Sequence, residues 1–236
     1  MVEATTSRAA TFVVPSWLPP DTEESVMGTQ WHQEAIDALA SMLVEVGRRY
    51  GRTWGVARGI TLLDSGARYP DGKPYDPKPD VMVLPQPLPD DDISGISLVD
   101  AGVPLFIAEV ASKSTWSNDL RFKKEVYAAA RVQEYIAFDP SGHFIAPALQ
   151  TWRLVNGAYT PFVTADDGWW HSRALDITLR PAQPFLAVRD RDGRQLSPPR
   201  RAFEREYRVE QLERELAEAR RRIADLDAQS RRQRGE

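Results

Sequence analysis

Two acidic residues lie within stretches of this sequence that are expected to be buried. Glu109 lies inside the apolar run 103–111, and Asp80 opens a second run, 81–84, directly after Pro79. The length of the runs and their Ile, Phe and Val content predict β-strands covered on both faces. Because an unpaired buried carboxylate is costly, each acid needs a compensating partner. The two acids are therefore the first candidates for a functional site.

A helix with a lysine and a tyrosine on one side is predicted to follow the strand that contains Glu109. Residues 114–119 are rich in helix-capping side chains, and residues 120–131 carry apolar side chains at helical spacing. Lys123 and Tyr127 lie four residues apart beside that apolar stripe, so they share one side of the helix. Residues 134–139 then resemble another buried strand, which gives the order strand, helix, strand.

This order resembles the PD-(D/E)xK nuclease superfamily, and more closely its Uma-type branch of restriction-endonuclease-like proteins. The matching residues are Pro79, Asp80, Glu109, Val110, Ala111, Ser112, Ser114, Thr115, Asp119, Lys123, Tyr127, Glu134, Tyr135, Asp139 and Pro140. The ordered set, spread over about sixty residues, is far more specific than any one member. The resemblance implies an α/β fold with a restriction-endonuclease-like core, in which helices flank a mixed central sheet.

The resemblance also implies roles for these residues. Asp80, Glu109 and the backbone carbonyl of Val110 would bind Mg²⁺, with Mn²⁺ as a substitute, since hard cations prefer oxygen ligands. The superfamily's lysine two residues after the acid is replaced here by Ala111. In the Uma-type branch that lysine comes from the following helix. This assigns the role to Lys123, with its neighbour, Lys124, as the less favoured candidate, so Asp80, Glu109 and Lys123 are the predicted catalytic residues.

Two further side chains are candidates for auxiliary roles. Tyr127 could hold the lysine or contact a phosphate, although packing is the simpler explanation. Residues 30–50 predict an amphipathic helix that ends at Gly51, and related nucleases often take an auxiliary acid from their first helix. Glu34 is the best-placed acid beside its apolar stripe. A solvated helix acid is the alternative, and the neighbouring His32 is equally open.

The predicted activity is metal-dependent hydrolysis of phosphodiester bonds in nucleic acid, with DNA as the expected substrate. The sequence contains no Gly-x-x-x-x-Gly-Lys phosphate loop, no Gly-x-Ser-x-Gly elbow and no His-Glu-x-x-His zinc helix, which argues against other enzyme classes. The alternative is a catalytically silent nuclease fold that serves as a binding or dimerisation module, because Ala111 is also what decay of a site would leave. The distance between Lys123 and Glu109 distinguishes the two.

The composition predicts a globular protein of a reducing compartment. The 236 residues include no cysteine, and 42% are hydrophobic, which is ordinary for a globular domain and excludes disulfides and thiolate metal sites. The N-terminus lacks the features of a signal peptide, and no apolar stretch approaches the ~20 residues of a membrane span. We expect a cytoplasmic location and no membrane partner.

Charge is distributed unevenly along the chain. The net charge is −4, but residues 200–236 contain 11 Arg and 9 acidic residues, which leaves −6 for the preceding body. Nucleic acid would therefore need a local basic patch against a repulsive background. The residues that could form it are Lys113, Arg121, Lys123, Lys124 and Arg131. Ordinary solvated helix charges are the alternative.

We expect three segments along the chain. They are an extended N-terminal segment (1–25), a nuclease domain (26–198) and a coiled-coil tail (199–236). The tail carries apolar residues in alternating steps of three and four: Val209, Leu212, Leu216, Ala219, Ile223 and Leu226. This heptad seam predicts a homodimer through residues 203–230. A single amphipathic helix packed on the body is the alternative.

The end of the body is predicted to be rich in strands. The pair Asn156–Gly157 separates two strand-like runs and is a two-residue hairpin signal, and residues 175–179 alternate as a further strand does. Residues 53–63 predict a strand near the start of the body. Trp169 and Trp170 could stack on bases, but packing in a core is the commoner role of large aromatic residues.

Overall fold

The computed structural model describes residues 12–13, 30–89, 93–162 and 167–196. Contacts divide the chain into two units, Met1–Pro198 and Pro199–Glu236, and the described residues all belong to the first. The predicted coiled coil over 203–230 lies outside the described residues, as does most of the predicted N-terminal segment.

A six-stranded mixed sheet forms the centre of the domain. In spatial order its strands are β10 (Ala158–Pro161), β9 (Leu149–Val155), β8 (Glu134–Phe138), β7 (Phe106–Val110), β5 (Val81–Leu84) and β2 (Gly55–Arg58). Within it β7 and β8 run parallel, and the other neighbouring pairs are antiparallel. Every residue of β5, β7 and β8 is buried, as expected for strands covered on both faces. The sheet agrees with the predicted α/β fold.

Helices cover both faces of this sheet. The apolar side of α1 (Gln30–Arg49) packs on one face, where Leu43 joins a core cluster with Val83 and Phe106. On the other face lie α3 (Trp116–Asn118), a π-helical turn (Asp119–Lys123) and α4 (Lys124–Ala129). A further short helix is α2 (Leu98–Ala101). Among the described residues, no helix combines the length and the apolar character that crossing a membrane requires.

The helix predicted over 120–131 differs from the observed one in its start and its regularity. Helical structure begins at Trp116, and the π-helical turn lies between two α-helical pieces. Such turns insert an extra residue per hydrogen-bonded loop and occur frequently at functional sites. Propensity alone carries no signal for this insertion, so the sequence predicts a plain α-helix.

The smaller sheets complete the domain. An antiparallel sheet contains β11 (Trp170–Ser172), β12 (Ile177–Ala182), β13 (Phe185–Arg189) and β14 (Gln195–Leu196), and two parallel pairs join β1 (Phe12–Val13) with β4 (Ala67–Arg68) and β3 (Thr61–Leu63) with β6 (Gly95–Ser97). The strand predicted over 175–179 corresponds to β12, which begins at Ile177 and extends to Ala182, and it is one of the four strands of this sheet. The strand predicted over 53–63 divides into β2 and β3, because Gly59 adopts a φ of 54° and interrupts the extended chain.

Backbone angles confirm the predicted hairpin, and side-chain burial decides between the two interpretations of the tryptophan pair. Asn156 and Gly157 have φ values of 52° and 87°, as a two-residue hairpin turn of type I′ requires. Trp169 and Trp170 are 6% and 0% exposed. Both therefore pack within the domain and are not available to stack on bases.

Candidate active site

The pairing of β5 with β7 brings Asp80 and Glu109 together. Val81 pairs with Ala108 in this antiparallel ladder, so the next pair in register is Asp80 with Glu109. Residues directly opposite in an antiparallel pair direct their side chains to the same face. The backbone N–H of Val110 also donates a 2.7 Å hydrogen bond to Oδ2 of Asp80. This bond holds the Asp80 carboxylate at the end of β7.

Lys123 contacts two buried carboxylates. Its Nζ lies 3.2 Å from Oε2 of Glu109 and 3.3 Å from Oδ1 of Asp119. Only 7% of the Lys123 side chain and 1% of each carboxylate side chain is exposed. Loss of one member of such a buried group leaves an uncompensated charge, which a surface ion pair would not do. The π-helical turn supplies both Asp119 and Lys123.

Burial dominates the protonation of this cluster. Burial raises the pKa of Glu109 well above its ordinary value, and the positive charge of Lys123 opposes that shift. Burial likewise raises the pKa of Asp119 to about 6, again against the effect of Lys123. Both acids are therefore easier to protonate than solvated carboxylates. Lys123 is the largest influence that favours their charged forms.

Two tyrosines support the cluster from inside the domain. The hydroxyl of Tyr127 donates a 2.5 Å hydrogen bond to Oε1 of Glu109. The hydroxyl of Tyr135 donates a 2.8 Å hydrogen bond to the backbone carbonyl of Asp119. Burial raises the pKa of both hydroxyls well above the ordinary value for tyrosine, so both remain donors. Tyr127 therefore orients the predicted catalytic acid.

His32, near the start of α1, lies close to the Asp80 carboxylate, which also accepts the hydrogen bond from the backbone of Val110. Nε2 of His32 lies 3.6 Å from Oδ2 of Asp80. Burial would lower the pKa of His32, but the neighbouring Asp80 carboxylate, together with the Val110 backbone, outweighs burial and raises the pKa. The Asp80 carboxylate therefore favours the protonated ring.

The structure thus brings together Asp80, Glu109, Val110, Lys123 and Tyr127 of the predicted site. The cluster also contains His32 and Asp119. The sequence leaves His32 as open as Glu34 for an auxiliary role, and Asp119 is one of the residues that carry the family resemblance. The sequence signal for Asp119 is its spacing of four residues before Lys123, which suits an ion pair on a helix.

The other basic residues of this region lie outside the cluster. Lys124 places its Nζ 5.3 Å from the ring centroid of Trp152, so it is engaged on a different side of the helix from Lys123. Lys113, Arg121 and Arg131 are exposed. The predicted basic patch therefore divides into one buried lysine and several surface charges.

The donors at this end of β7 suit a divalent cation in their chemistry. They are the carboxylates of Asp80 and Glu109, the Val110 carbonyl and the His32 imidazole, all of which are ligand types for such ions. Within the described ranges, no three His, Asp or Glu side chains converge closely enough to hold an ion. Both oxygens of Glu109 are engaged by Lys123 and Tyr127. An ion would therefore compete with Lys123 for Glu109.

Comparison with known families identifies the family of the chain. Residues 22–182 match the model of the Uma2 family, which is described as "Putative restriction endonuclease". The chain belongs to the Uma2 family. The matched range spans more than half of the chain and contains the whole cluster from His32 to Tyr135. Uma2 proteins are restriction-endonuclease-like, and enzymes of that type generally use a divalent metal.

Solved structures include one similar to this Uma2 chain. It is described as a "putative nuclease belonging to DUF820" from Anabaena variabilis ATCC 29413. The sequence identity is 14%, the match covers 58% of this chain and 69% of that chain, and the TM-score is 0.40. None of the curated proteins matches the chain.

Proposed function

We propose that this Uma2 protein is a metal-dependent endonuclease that hydrolyses phosphodiester bonds of DNA, with Mg²⁺ as its cation and Mn²⁺ as a substitute. The observation that carries the proposal is the 3.2 Å contact between Lys123 and Glu109, made beside Asp80. A catalytically silent fold would have been favoured by a separation beyond ~6 Å, too far for strong charge coupling. The contact supports the view that Lys123 replaces the lysine absent at Ala111.

Each residue of the cluster has a distinct part in this proposal. Asp80, Glu109 and the Val110 carbonyl hold the cation. When bound, a divalent cation lowers the pKa of water and offsets the charge of a phosphate. Lys123 orients the attacking water and adds positive charge near the phosphate, as preorganised cationic groups do in phosphoryl transfer. Tyr127 fixes the orientation of Glu109.

Exposure indicates which side chain of the site a substrate can reach. The Asp80 side chain is 17% exposed, whereas those of Glu109 and Lys123 are 1% and 7% exposed. Of these three side chains, that of Asp80 is therefore the most accessible to a substrate phosphate or its cation. Lys113, in the turn before the helical segment, and Arg121, within that segment, are exposed basic residues and are the candidates for contacts with flanking phosphates, which fix the register of a nucleic acid without reading its sequence.

The test is a cleavage assay on the purified full chain. Supercoiled, linear and single-stranded DNA are incubated with Mg²⁺, Mn²⁺ or EDTA, beside an RNA of matched length. We expect cutting of DNA with either metal and none with EDTA. Asp80→Asn and Glu109→Gln should abolish it, because each removes an anionic ligand while keeping the shape of the side chain.

Lys124→Met is the matched control for these variants, since Lys124 is a neighbouring lysine outside the cluster. It should retain cleavage with either metal. If the unmodified chain cuts no nucleic acid under any metal condition, the alternative of a catalytically silent binding or dimerisation module is favoured. If the chain cuts RNA and not DNA, the proposed substrate is wrong, but the proposal of metal-dependent phosphodiester hydrolysis is retained.

A further inference from the structure

We propose that the β11–β14 sheet binds the phosphate backbone of nucleic acid through Arg180 and Arg189, at a surface separate from the cluster around Asp80. The two arginines and Trp169 together are called the arginine face. Binding at this face is a property distinct from hydrolysis, so it goes beyond the proposed function. A nucleic acid would be held there whether or not it is cut.

The register of β12 and β13 directs Arg180 and Arg189 to the same face of the sheet. Leu179 pairs with Val188 in this antiparallel ladder, and both are 0% exposed within the core. Arg180 directly follows Leu179, and Arg189 directly follows Val188. Because successive side chains of a strand point to opposite faces, both arginines point away from the core. They are diagonal neighbours on that face.

The ring of Trp169 holds both guanidinium groups. The Cζ atoms of Arg189 and Arg180 lie 4.0 and 4.7 Å from the ring centroid, which is within the range of cation–π contacts. A guanidinium that stacks through its flat side keeps its N–H groups at the edge as donors. The stacking therefore positions the two arginines in advance, which reduces the conformational entropy that they lose on binding an anion.

The arginines of the face have no acidic partner among the described residues, whereas the acids of the sheet are engaged elsewhere. Residues 170–196 contain five arginines and three aspartates. Each aspartate contacts a side chain of residues 49–52: Asp190 with Arg49, Asp192 with Tyr50, and Asp176 with Arg52. Two neighbouring positive charges repel each other, and an anion bound between them relieves that repulsion.

The phosphates of a nucleic acid have the chemistry that this face requires. A phosphodiester presents two anionic oxygens, which match the paired N–H groups of a guanidinium. Phosphates are closely spaced along a strand, so neighbouring ones can contact both arginines. Because the chain before residue 200 has a net charge of −6, a nucleic acid needs a local positive surface of this kind. Such contacts hold the backbone and carry no sequence information.

The arginine face lies far from the candidate active site. Asp190, which directly follows Arg189, binds Arg49 at the end of α1. His32, near the start of the same helix, lies beside Asp80. With a rise of 1.5 Å per residue, His32 and Arg49 are about 25 Å apart along the helix axis. Substitutions in the arginine face should therefore change binding and leave the carboxylates of the candidate active site unaltered.

The experiment measures DNA binding by the full chain in EDTA, which prevents the proposed metal-dependent cleavage. Fluorescence anisotropy of a labelled duplex of about 30 base pairs gives the affinity at several KCl concentrations. Arg180→Gln/Arg189→Gln should weaken binding about tenfold. It should also reduce the slope of log affinity against log salt by about 2, since each phosphate contact contributes about 0.9.

Two further double variants serve as controls. Arg180→Lys/Arg189→Lys retains both charges and should keep the salt slope of the unmodified chain. Arg48→Gln/Lys73→Gln removes the same charge from two exposed side chains that are already paired with acids, so it should change neither affinity nor slope. The proposal is overturned if the unmodified chain does not bind the duplex, or if Arg180→Gln/Arg189→Gln binds no more weakly than this control.

A labelled polyglutamate distinguishes nucleic acid from an acidic polypeptide as the partner. If polyglutamate binds the unmodified chain more tightly than the duplex does, and Arg180→Gln/Arg189→Gln loses that binding, the face serves an acidic polypeptide and the proposal is wrong.

Cleavage with Mg²⁺ or Mn²⁺ separates this proposal from the proposed function. If the chain binds the duplex through the arginine face and cuts nothing with either metal, the endonuclease proposal is wrong and the arginine face is retained. If the chain cuts DNA and Arg180→Gln/Arg189→Gln binds the duplex as the unmodified chain does, only the proposed role of the arginine face is wrong.

Discussion

Tyr127 and Glu109 form a buried hydrogen bond of 2.5 Å between the phenol hydroxyl and Oε1 of the carboxylate. The other oxygen, Oε2, lies 3.2 Å from Nζ of Lys123. Each oxygen of Glu109 thus has its own donor, one neutral and one charged. Two donors at different oxygens fix the rotation of the carboxylate as well as its position. We infer that Tyr127 acts on the site through Glu109 and not by contact with a phosphate.

Replacement of Tyr127 by Phe should lower both stability and activity. The change removes one donor from a buried carboxylate, and hydrogen bonds to charged groups contribute about 1.5–3 kcal/mol. We expect the free energy of unfolding to fall by that amount in urea denaturation without metal. The cleavage rate should fall as well, because Glu109 is then free to rotate about Lys123.

Tyr159→Phe is the matched control for this variant. The hydroxyl of Tyr159 donates to the backbone carbonyl of Val132 at 3.0 Å, so its loss removes a neutral hydrogen bond of about 0.5–1.5 kcal/mol. Its cleavage rate should equal that of the unmodified chain. Equal cleavage rates for the two variants would show that Tyr127 has only a packing role.

Replacement of Lys123 by Met should be far more damaging than the same change at Lys124. Without Lys123, the buried carboxylates of Glu109 and Asp119 lose the ammonium group that contacts both, and breaking such a buried pair costs about 3–5 kcal/mol. We expect a large drop in the free energy of unfolding and no cleavage with either metal. Denaturation and cleavage are measured on the same preparation at a temperature where the variant is folded.

Lys124→Met removes only the contact of an ammonium with the ring of Trp152, at 5.3 Å. A cation–π contact of a partly exposed lysine is worth about 1 kcal/mol, so this variant should lose far less stability than Lys123→Met and remain fully active. Loss of cleavage in Lys124→Met together with retention in Lys123→Met would reverse the assignment of the catalytic lysine.

The strands that carry the site could be predicted because their sequence pattern is simple. β5 is a continuous apolar run, and β7 and β8 are apolar except for one glutamate each; such runs indicate strands covered on both faces. The Asn156–Gly157 turn could be predicted for a similar reason, since few dipeptides tolerate two positive φ angles. The pairing of Asp80 with Glu109 depends on register between distant strands, and the resemblance to a family supplied it.

The role of His32 could not be predicted from the sequence. His32 and Glu34 lie two residues apart on α1, which separates their directions by about 200° around the helix axis. Which side of α1 faces Asp80 depends on the rotation of α1 on the sheet, and this is decided by the packing of the whole helix. The π-helical turn at Asp119–Lys123 is likewise a consequence of packing, since local propensity does not distinguish it from an α-helix.

Removal of residues 199–236 should convert a dimer into a monomer. The heptad seam of this segment, which lies outside the described residues, predicts association of two chains. Light scattering of the truncated and full-length proteins measures the change directly. Cleavage by the truncated protein should persist on short linear DNA, because every residue of the proposed site precedes the segment.

A point variant in the seam provides a control for the truncation. Leu216→Glu places a charge at a seam position and should give a monomer, whereas Glu215→Gln, a change outside the seam, should leave the dimer intact. If the truncated and full-length proteins have the same oligomeric state, the chain does not dimerise through this segment.

Asp139 directly follows β8, and its carboxylate organises the loop that leads to β9. It accepts hydrogen bonds from the N–H and the hydroxyl of Ser141, at 2.9 and 2.7 Å, and from the N–H groups of Phe144 and Ile145. Burial would raise the pKa of Asp139, but these bonds outweigh it and lower the pKa below its ordinary value. The charged form is thus the one that the folded state prefers.

The last prediction is a pH dependence of stability that belongs to Asp139. A carboxyl whose pKa is lower in the folded state adds stability above its unfolded pKa of about 4, and loses it as the pH falls through the folded value. Asp139→Asn should therefore cost about 1–3 kcal/mol at pH 7, and its deficit relative to the unmodified chain should shrink below pH 4. Urea denaturation from pH 7 to pH 3 measures it, with exposed Asp100→Asn as the control. A deficit of the same size at every pH would mean that the loop needs the shape of the side chain and not its charge.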